Sequence, residues 1–325
     1  MEFKLGFGPM STVIVDTLAQ HAQDHKQPTM IIASRNQVDA DSGYVMTTQQ
    51  LVNQLRPLAS EYLKICRDHC GPYFLDSERD LGIRAAVAAT KRTIARDIEQ
   101  GFDLIHIDTS RCEDEYHIAD ELINFCLRLN PNIEFEFGTE ENIGVAASSA
   151  KYQVDVRFAG QYPNMQYVVA QTGSLTMEDR QVGSFDTGMA RTLVDYATAA
   201  GVRLKEHNAD YLTPEQIQLR RTAGVHALNI APQLGVVQTK TILGLADEFG
   251  LSTTEFKQTV LDSGRWSKWY INGDDELKVA VAGHYCYHTQ EFLELTERLH
   301  LLTNWESAVK TAITNILTTY YDNIC

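Results

Sequence analysis

The sequence lacks any apolar run long enough to cross a membrane. A membrane-spanning helix needs a stretch of roughly 18 or more apolar residues, and no segment of the 325 residues approaches that length. The first residues, MEFKLGFGPMSTVIVD, show neither the apolar centre nor the small-residue cleavage site of a signal peptide. We therefore expect a cytoplasmic protein that does not act at a membrane.

Basic charge is also scarce. The chain carries 28 Lys and Arg residues against 43 Asp and Glu, which gives a formal net charge of −15 and a sequence pI near 5.1. Proteins that bind nucleic acids neutralise phosphates with a basic patch, and none balances the acidic residues here. This composition argues against nucleic acid and against an anionic membrane surface as partners.

The six cysteines do not form a disulfide framework. They are scattered along the chain, mostly in apolar or helical surroundings, and their spacing fits no disulfide-rich class. They are Cys66, Cys70, Cys112, Cys126, Cys286 and Cys325. A reduced, cytoplasmic protein is the interpretation that this distribution favours.

What the sequence does contain is a repeated alternation of short strands and helices. Eight β-branched or alternating segments, each followed by a segment with helical spacing, predict an α/β fold of the (β/α)₈ TIM-barrel type. The predicted strands are residues 3–8, 29–34, 62–66, 102–110, 133–140, 165–173, 202–210 and 225–232. An open doubly wound sheet is the alternative, but no Gly-x-Gly-x-x-Gly follows the first strand.

Two regions follow from this pattern. Residues 1–251 are expected to form the barrel, and residues 252–325 a helical C-terminal extension packed on it. Within the barrel, strand alternation places charged residues in the lumen, where an unpaired charge costs several kcal/mol. We therefore expect Glu134 and Glu136 to pair with cations such as Lys205 and Arg203.

Polar residues concentrate where the predicted strands end. In a barrel these carboxyl ends form the mouth that carries the active site. The polar residues there are Asp68, His69, Asp108, Glu140, Gln171, Glu206, His207, Asp210 and Asn229. Imidazoles and carboxylates that converge from separate strands are the donors of a catalytic divalent metal ion such as zinc. A cluster with only structural ion pairs is the alternative.

Six short segments, in the same order along the chain, carry a resemblance to a known family. They are SRNQVDADSGYVMT, RDHCGP, LIHIDTS, FGTEEN, KEHNADY and WSKWYINGDDEL. With them the chain resembles the non-catalytic subunit family of class II D-tagatose-bisphosphate aldolase, which includes tagatose and tagaturonate epimerase-like members. More distantly, DHC and LNIAP are similar to strand ends of class II fructose-bisphosphate aldolases.

The resemblance implies roles for individual residues. Asp68 would be the catalytic acid or base, and His69 and His207 would bind the metal, most simply zinc. From its position at a strand end, Asp108 is expected to be a further catalytic carboxylate. Glu140 would be a third ligand or a base. The expected substrate-binding residues are Asn36, Gln37, Gln171, Asp186, Asp210 and Asn229.

Two departures from the family pattern bear on the substrate. Where the family has Asp-His after the sixth strand, this chain has Asp186 followed by Thr187, so one candidate ligand is missing. The family also carries a tail segment with two arginines, whereas the matching residues 282–288 read AGHYCYH. Because paired arginines are strong phosphate anchors, a substrate without that phosphate, or one held differently, is plausible.

Three functions are therefore open. The first is a metal-dependent aldolase or epimerase that acts on a ketose or ketose phosphate. The second is a non-catalytic subunit that stabilises an aldolase partner, although a homo-oligomer is an equally open assembly. The third, a sugar-binding protein without chemistry, rests on the fold alone.

Overall fold

The architecture is a closed barrel of eight parallel strands. The structure, a computed structural model, describes residues 2–41, 43–58, 60–139, 144, 146, 148–270 and 272–324. The barrel strands are β1 (Leu5–Phe7), β2 (Thr29–Ser34), β3 (Leu63–Cys70), β4 (Leu104–Asp108), β5 (Glu134–Gly138), β6 (Met165–Val169), β7 (Arg203–Glu206) and β8 (Ala227–Ile230). Each pairs with its neighbours in sequence, and β1 closes the ring on β8. The predicted (β/α)₈ fold is confirmed.

A helix follows each strand. These helices are α1 (Thr12–His25), α2 (Thr48–Leu55), α3 (Ile83–Gln100), α4 (Glu115–Leu129), α5 (Ser149–Ala159), α6 (Thr187–Ala199), α7 (Pro214–Ala223) and α8 (Pro232–Glu248). Apolar residues of the strands, such as Ile105, Ile107, Phe135 and Phe137, are fully buried in the main core with the inner faces of these helices. The helices therefore cover the sheet, and the opposite faces of the strands line the lumen.

The C-terminal region is helical, as predicted. It contains α9 (Thr254–Asp262), α10 (Asp275–Ala282), α11 (Gln290–His300) and α12 (Trp305–Ile324). Helix α12 packs against α1, α7 and α8. The Tyr320 hydroxyl donates a 2.6 Å hydrogen bond to the carbonyl of Ala209, and the Tyr321 hydroxyl lies 2.6 Å from that of Thr29. Among the helices described, none has the length and apolar character that a bilayer crossing requires.

Two small sheets lie in loops that follow barrel strands. Residues Val38–Asp39 pair with Met46–Thr47 after β2, and Thr176–Met177 pair with Arg180–Gln181 after β6. The second sheet contacts the C-terminal region, because the backbone N–H of Glu178 donates to the carbonyl of Trp269 at 2.6 Å.

The charges of the lumen pair partly as predicted. Glu136 and Lys205 form a fully buried ion pair at 2.6 Å, as expected. Glu134, however, pairs with Lys64 of β3, so the predicted Arg203 partner is wrong. Alternation fixes the face on which a side chain lies, but it does not identify which strand supplies the partner. Arg203 is exposed at the start of β7, where water hydrates its charge.

Candidate active site

Three imidazoles meet at the mouth of the barrel. His69 comes from β3, His106 from β4, and His207 directly follows β7. Their ring centroids lie 5.1 to 5.2 Å apart in all three pairs. The structure thus brings together His69 and His207, the two histidines that the sequence singled out, and adds a third.

Asp68 lies against all three rings. Its carboxylate oxygens are 3.2 Å from Nδ1 of His106, 3.7 Å from Nε2 of His69 and 4.0 Å from Nε2 of His207. One candidate ligand atom from each of these four residues lies within 4.8 Å of the others. Three imidazole nitrogens and a carboxylate at this spacing form a donor set that suits a divalent transition metal such as zinc.

A bulge in β3 allows neighbouring residues to reach the same site. Regular alternation would send Asp68 and His69 to opposite faces of the sheet. The register between β3 and β4 shifts between Arg67 and Cys70, and His69 adopts a left-handed backbone conformation with φ of 45°. Arg67 points to the helices, where its guanidinium is fully buried and bonds both oxygens of Asp97. Bulges of this kind often re-aim a side chain beside an active site.

Asp108 contacts Nδ1 of His69, the ring nitrogen on the side away from Asp68. Its Oδ2 lies 2.6 Å from His69 Nδ1, and its Oδ1 accepts hydrogen bonds from the Ser110 backbone and hydroxyl at 3.1 and 2.7 Å. Burial by itself lowers the pKa of His69, but Asp68 and Asp108 outweigh it and raise that pKa to about 9. A carboxylate on the far nitrogen of a histidine fixes the ring and increases its basicity as a ligand.

His106 was not among the candidate ligands that the sequence suggested. It is 1% exposed, and its Nδ1 accepts a 3.2 Å hydrogen bond from the backbone N–H of His69. Within the part of the chain that the structure describes, its Nε2 is buried without a hydrogen-bond partner, close to Gly138, where an added Cβ would lie 3.0 Å away. Strand alternation does place His106 in the lumen beside Asp108. This alternation could have identified His106 as a ligand, but the predicted ligands are residues at strand ends, and His106 lies within β4.

His207 lies between a carboxylate and an amide. Its Nε2 is 2.6 Å from Glu136 Oε1 and 3.0 Å from Asn229 Nδ2. Lys205 holds the other oxygen of Glu136. The Asn229 Oδ1 faces Gly6 of β1, where an added Cβ would lie only 2.4 Å away. A glycine at position 6 therefore makes room for the amide next to His207.

The three carboxylates that contact these imidazoles, Asp68, Asp108 and Glu136, all have lowered pKa values. Burial raises the pKa of Asp68, but the charges of His69 and His207 outweigh burial and hold that pKa well below its usual range. Burial also raises the pKa of Glu136, but the surrounding charges, that of Lys205 foremost, outweigh burial and lower this pKa. His207 has a lowered pKa because its own burial dominates. The site thus combines ionised oxygens with at least one readily neutral imidazole, which suits both cation binding and proton transfer.

Several predicted substrate-binding residues are engaged in holding loops or helices. Asn36 donates to the carbonyl of Phe74 at 2.9 Å. Gln37 is buried, accepts from the backbone and hydroxyl of Ser34, and lies 2.9 Å from the sulfur of Met10.

Two predicted aspartates cap helices. Asp186 accepts from the Met189 backbone at the start of α6, and Asp210 accepts from the backbone at the start of α8. Gln171 is buried after β6. Glu140 lies outside the described residues. Of the predicted substrate contacts, Asn229 is the one that the structure places against a clustered histidine.

One family model matches the first part of the chain. The family described as D-tagatose-1,6-bisphosphate aldolase subunit GatZ/KbaZ-like matches residues 9–125, a range that includes Asp68, His69, His106 and Asp108. The predicted resemblance is confirmed there. No curated protein matches the chain significantly.

Solved structures share the fold over the whole length. A probable tagatose 6 phosphate kinase from Sinorhizobium meliloti 1021 aligns over 100% of both chains, with a TM-score of 0.85 and 18% identity. The YdjI aldolase from Escherichia coli K12 aligns over 99% of this chain and 92% of its own, with a TM-score of 0.57 and 13% identity.

A third structure, a fructose-bisphosphate aldolase from Campylobacter jejuni, aligns over 99% of this chain and 90% of its own, with a TM-score of 0.62 and 10% identity. At these identities the structural likenesses establish the barrel fold. Together with the family match they support an aldolase-related function.

Proposed function

We propose that the protein is a divalent-metal-dependent enzyme of the aldolase or epimerase type that acts on a ketose or ketose phosphate in the cytoplasm. The convergence of three imidazoles on the Asp68 carboxylate carries this proposal. Such a donor set binds zinc well. When bound there, the metal supplies a positive charge that polarises a carbonyl or hydroxyl oxygen of the sugar.

We assign the metal-binding role to His69, His106 and His207, each through the ring nitrogen nearest Asp68. His106 then replaces the histidine that is missing after β6, where the chain has Asp186 and Thr187. Asp108 is a positioning residue, because its carboxylate orients the His69 ring. Glu136 contacts His207 differently, because it lies 2.6 Å from Nε2, the same nitrogen that is nearest Asp68.

Proton transfer falls to the carboxylates at the mouth. Both aldol cleavage and epimerisation begin with removal of a proton next to a polarised oxygen. Asp68 lies beside all three imidazoles, where a substrate oxygen would be within reach, so it is the group we propose as the acid or base. Glu140, which lies outside the described residues, remains a second candidate on the resemblance alone. Asn229 would orient the substrate next to His207.

A non-catalytic role is the second candidate, and the name of the matching family favours it. That family is described as an aldolase subunit, which implies a partner subunit in an aldolase complex. The accessory role predicts co-purification with a second barrel and no turnover by the isolated chain. The retained cluster of histidines and aspartates favours the enzyme, since an inactive subunit has no need for it.

Metal removal distinguishes the two roles. The purified protein should contain about one divalent ion per chain, and dialysis against a chelator should reduce turnover of its best ketose at least about 100-fold, because the polarising charge is lost. Zinc should restore it. The measurement is turnover of a panel of ketoses, ketonates and their phosphates by loaded, stripped and reloaded protein. Full activity of the stripped protein would contradict the metal mechanism, and no turnover of any panel member would favour the accessory role.

A further inference from the structure

A side chain of the protein itself occupies the start of helix α8. The Oδ1 atom of Asp210 accepts hydrogen bonds from the backbone N–H groups of Ala231 at 3.0 Å and Gln233 at 2.9 Å. In many (β/α)₈ enzymes a substrate phosphate binds at the loops after strands 7 and 8, on the N–H groups of a helix start. Here Asp210, from the loop after β7, already satisfies such N–H groups after β8.

Hydrogen bonds hold the backbone of the loop that carries this carboxylate. Asp210 is 1% exposed, its second oxygen is buried without a hydrogen-bond partner among the described residues, and burial raises its pKa to about 7. The side-chain amide of Gln181 donates to the carbonyls of both Asn208 and Asp210 at 2.6 Å. The Tyr320 hydroxyl bonds the next part of the loop at Ala209 and Leu212. A rigid loop of this kind cannot swing the carboxylate aside when a ligand arrives.

A buried histidine of the tail lies next to this helix start. His284, in the segment AGHYCYH, packs on the first turn of α8 so closely that a Cβ on Gly235 would lie 2.9 Å from its ring. Among the residues that the structure describes, neither buried ring nitrogen of His284 has a hydrogen-bond partner. Burial, together with the charges of Lys268 and Arg265, lowers the pKa of His284 to about 3, so the ring is neutral. The segment 282–288 itself contains no lysine or arginine. A phosphate on the N–H groups of Ala231 and Gln233 would have to displace the Asp210 side chain.

We propose that Asp210 determines substrate specificity by filling this anion position, so that the end of the substrate nearest β7 and β8 carries a hydroxyl group rather than a phosphate. This inference rests on the proposed function and narrows its substrate class to ketoses or ketonates with at most one phosphate. A hexulose 1,6-bisphosphate, which places a phosphate at both ends, is rejected.

The test compares D-tagatose, its 1-phosphate, its 6-phosphate and its 1,6-bisphosphate on the zinc-loaded protein. Binding is measured by calorimetry and turnover as kcat/KM, for the wild type, Asp210→Ser and Asp210→Asn. The wild type should bind the bisphosphate at least about 10-fold more weakly than its best unphosphorylated or monophosphorylated ligand, because the Asp210 side-chain oxygen already occupies the N–H groups that a second phosphate would need. Asp210→Ser frees the N–H groups, so the ratio of the bisphosphate Kd to the Kd of the best other ligand should fall by about 10-fold. In Asp210→Asn the amide oxygen keeps both hydrogen bonds, so the ratio should stay within about threefold of wild type.

The binding arm separates this inference from the proposed function. If the wild type binds the bisphosphate more tightly than every other member of the set, Asp210 does not exclude phosphate, and the inference is overturned whether or not turnover occurs. Should Asp210→Ser fail to fold, the wild-type ranking alone decides. A wild type that binds the singly phosphorylated or free sugar best but turns over none supports the inference and contradicts only the catalytic proposal.

Discussion

Replacing His106 with alanine is expected to weaken zinc binding by about 100-fold or more. Loss of residues that merely orient a ligand costs about 10- to 100-fold in metal affinity, and loss of a ligand should cost at least as much. The Nδ1 of His106 lies 3.2 Å from Asp68, at the centre of the three rings. The affinity is measured by competition with a chromophoric chelator, and the zinc content by elemental analysis.

A second histidine with a buried ring nitrogen provides the control for this variant. His226 is half-buried and immediately precedes β8, at the opposite end of the strand from the mouth, and its buried Nε2 has no hydrogen-bond partner among the described residues. His226→Ala should retain the wild-type affinity for zinc, so that a loss specific to His106→Ala reports the metal site rather than the removal of any buried imidazole. Wild-type zinc affinity in a folded His106→Ala variant would eliminate β4 as a source of a ligand.

Asp68→Asn is expected to reduce kcat by about 10²- to 10⁴-fold while leaving one zinc ion bound. General acid or base catalysis contributes a factor of this size. Asparagine has nearly the same shape as aspartate and remains packed against the three rings, but it cannot accept a proton. Turnover of the best ketose and zinc content of the same sample are measured together.

The combination of the two readouts assigns the role of Asp68. Reduced kcat with retained zinc supports proton transfer, whereas loss of zinc to the extent seen in His106→Ala would make Asp68 a ligand instead. Unchanged kcat would refute both roles. Asp24→Asn serves as the matched substitution, because Asp24 lies at the exposed end of α1, far along the chain from the cluster, and accepts a hydrogen bond from the side chain of Gln20. It should leave both readouts at wild-type values.

The sequence predicted the barrel because the alternation of strands and helices is a local property that survives in the fold. The amphipathic pattern of each segment determines its type, and the order of the segments then leaves few topologies. The pairing of Glu136 with Lys205 followed from the same alternation, since a charge in the lumen requires a partner. Both inferences depend on periodicity rather than on distance.

The details of the site depend on departures from periodicity, which the sequence does not show. Nothing in the letters RDHC indicates that the strand bulges at His69 and so brings both Asp68 and His69 to the mouth. The helix start that Asp210 occupies likewise depends on how two loops approach each other. Asp186 and Asp210 are polar residues at strand ends, as a binding site requires, but they are also good helix caps, and the sequence alone does not separate these uses.

Anomalous diffraction at the zinc absorption edge, from crystals of the zinc-loaded protein, tests the central claim most directly. One strong peak per chain, bonded at about 2.0–2.1 Å to ring nitrogens of His69, His106 and His207, is the result we predict. A peak bound elsewhere in the chain, or no peak although zinc is present in excess, would contradict the metal site and the chemistry proposed from it.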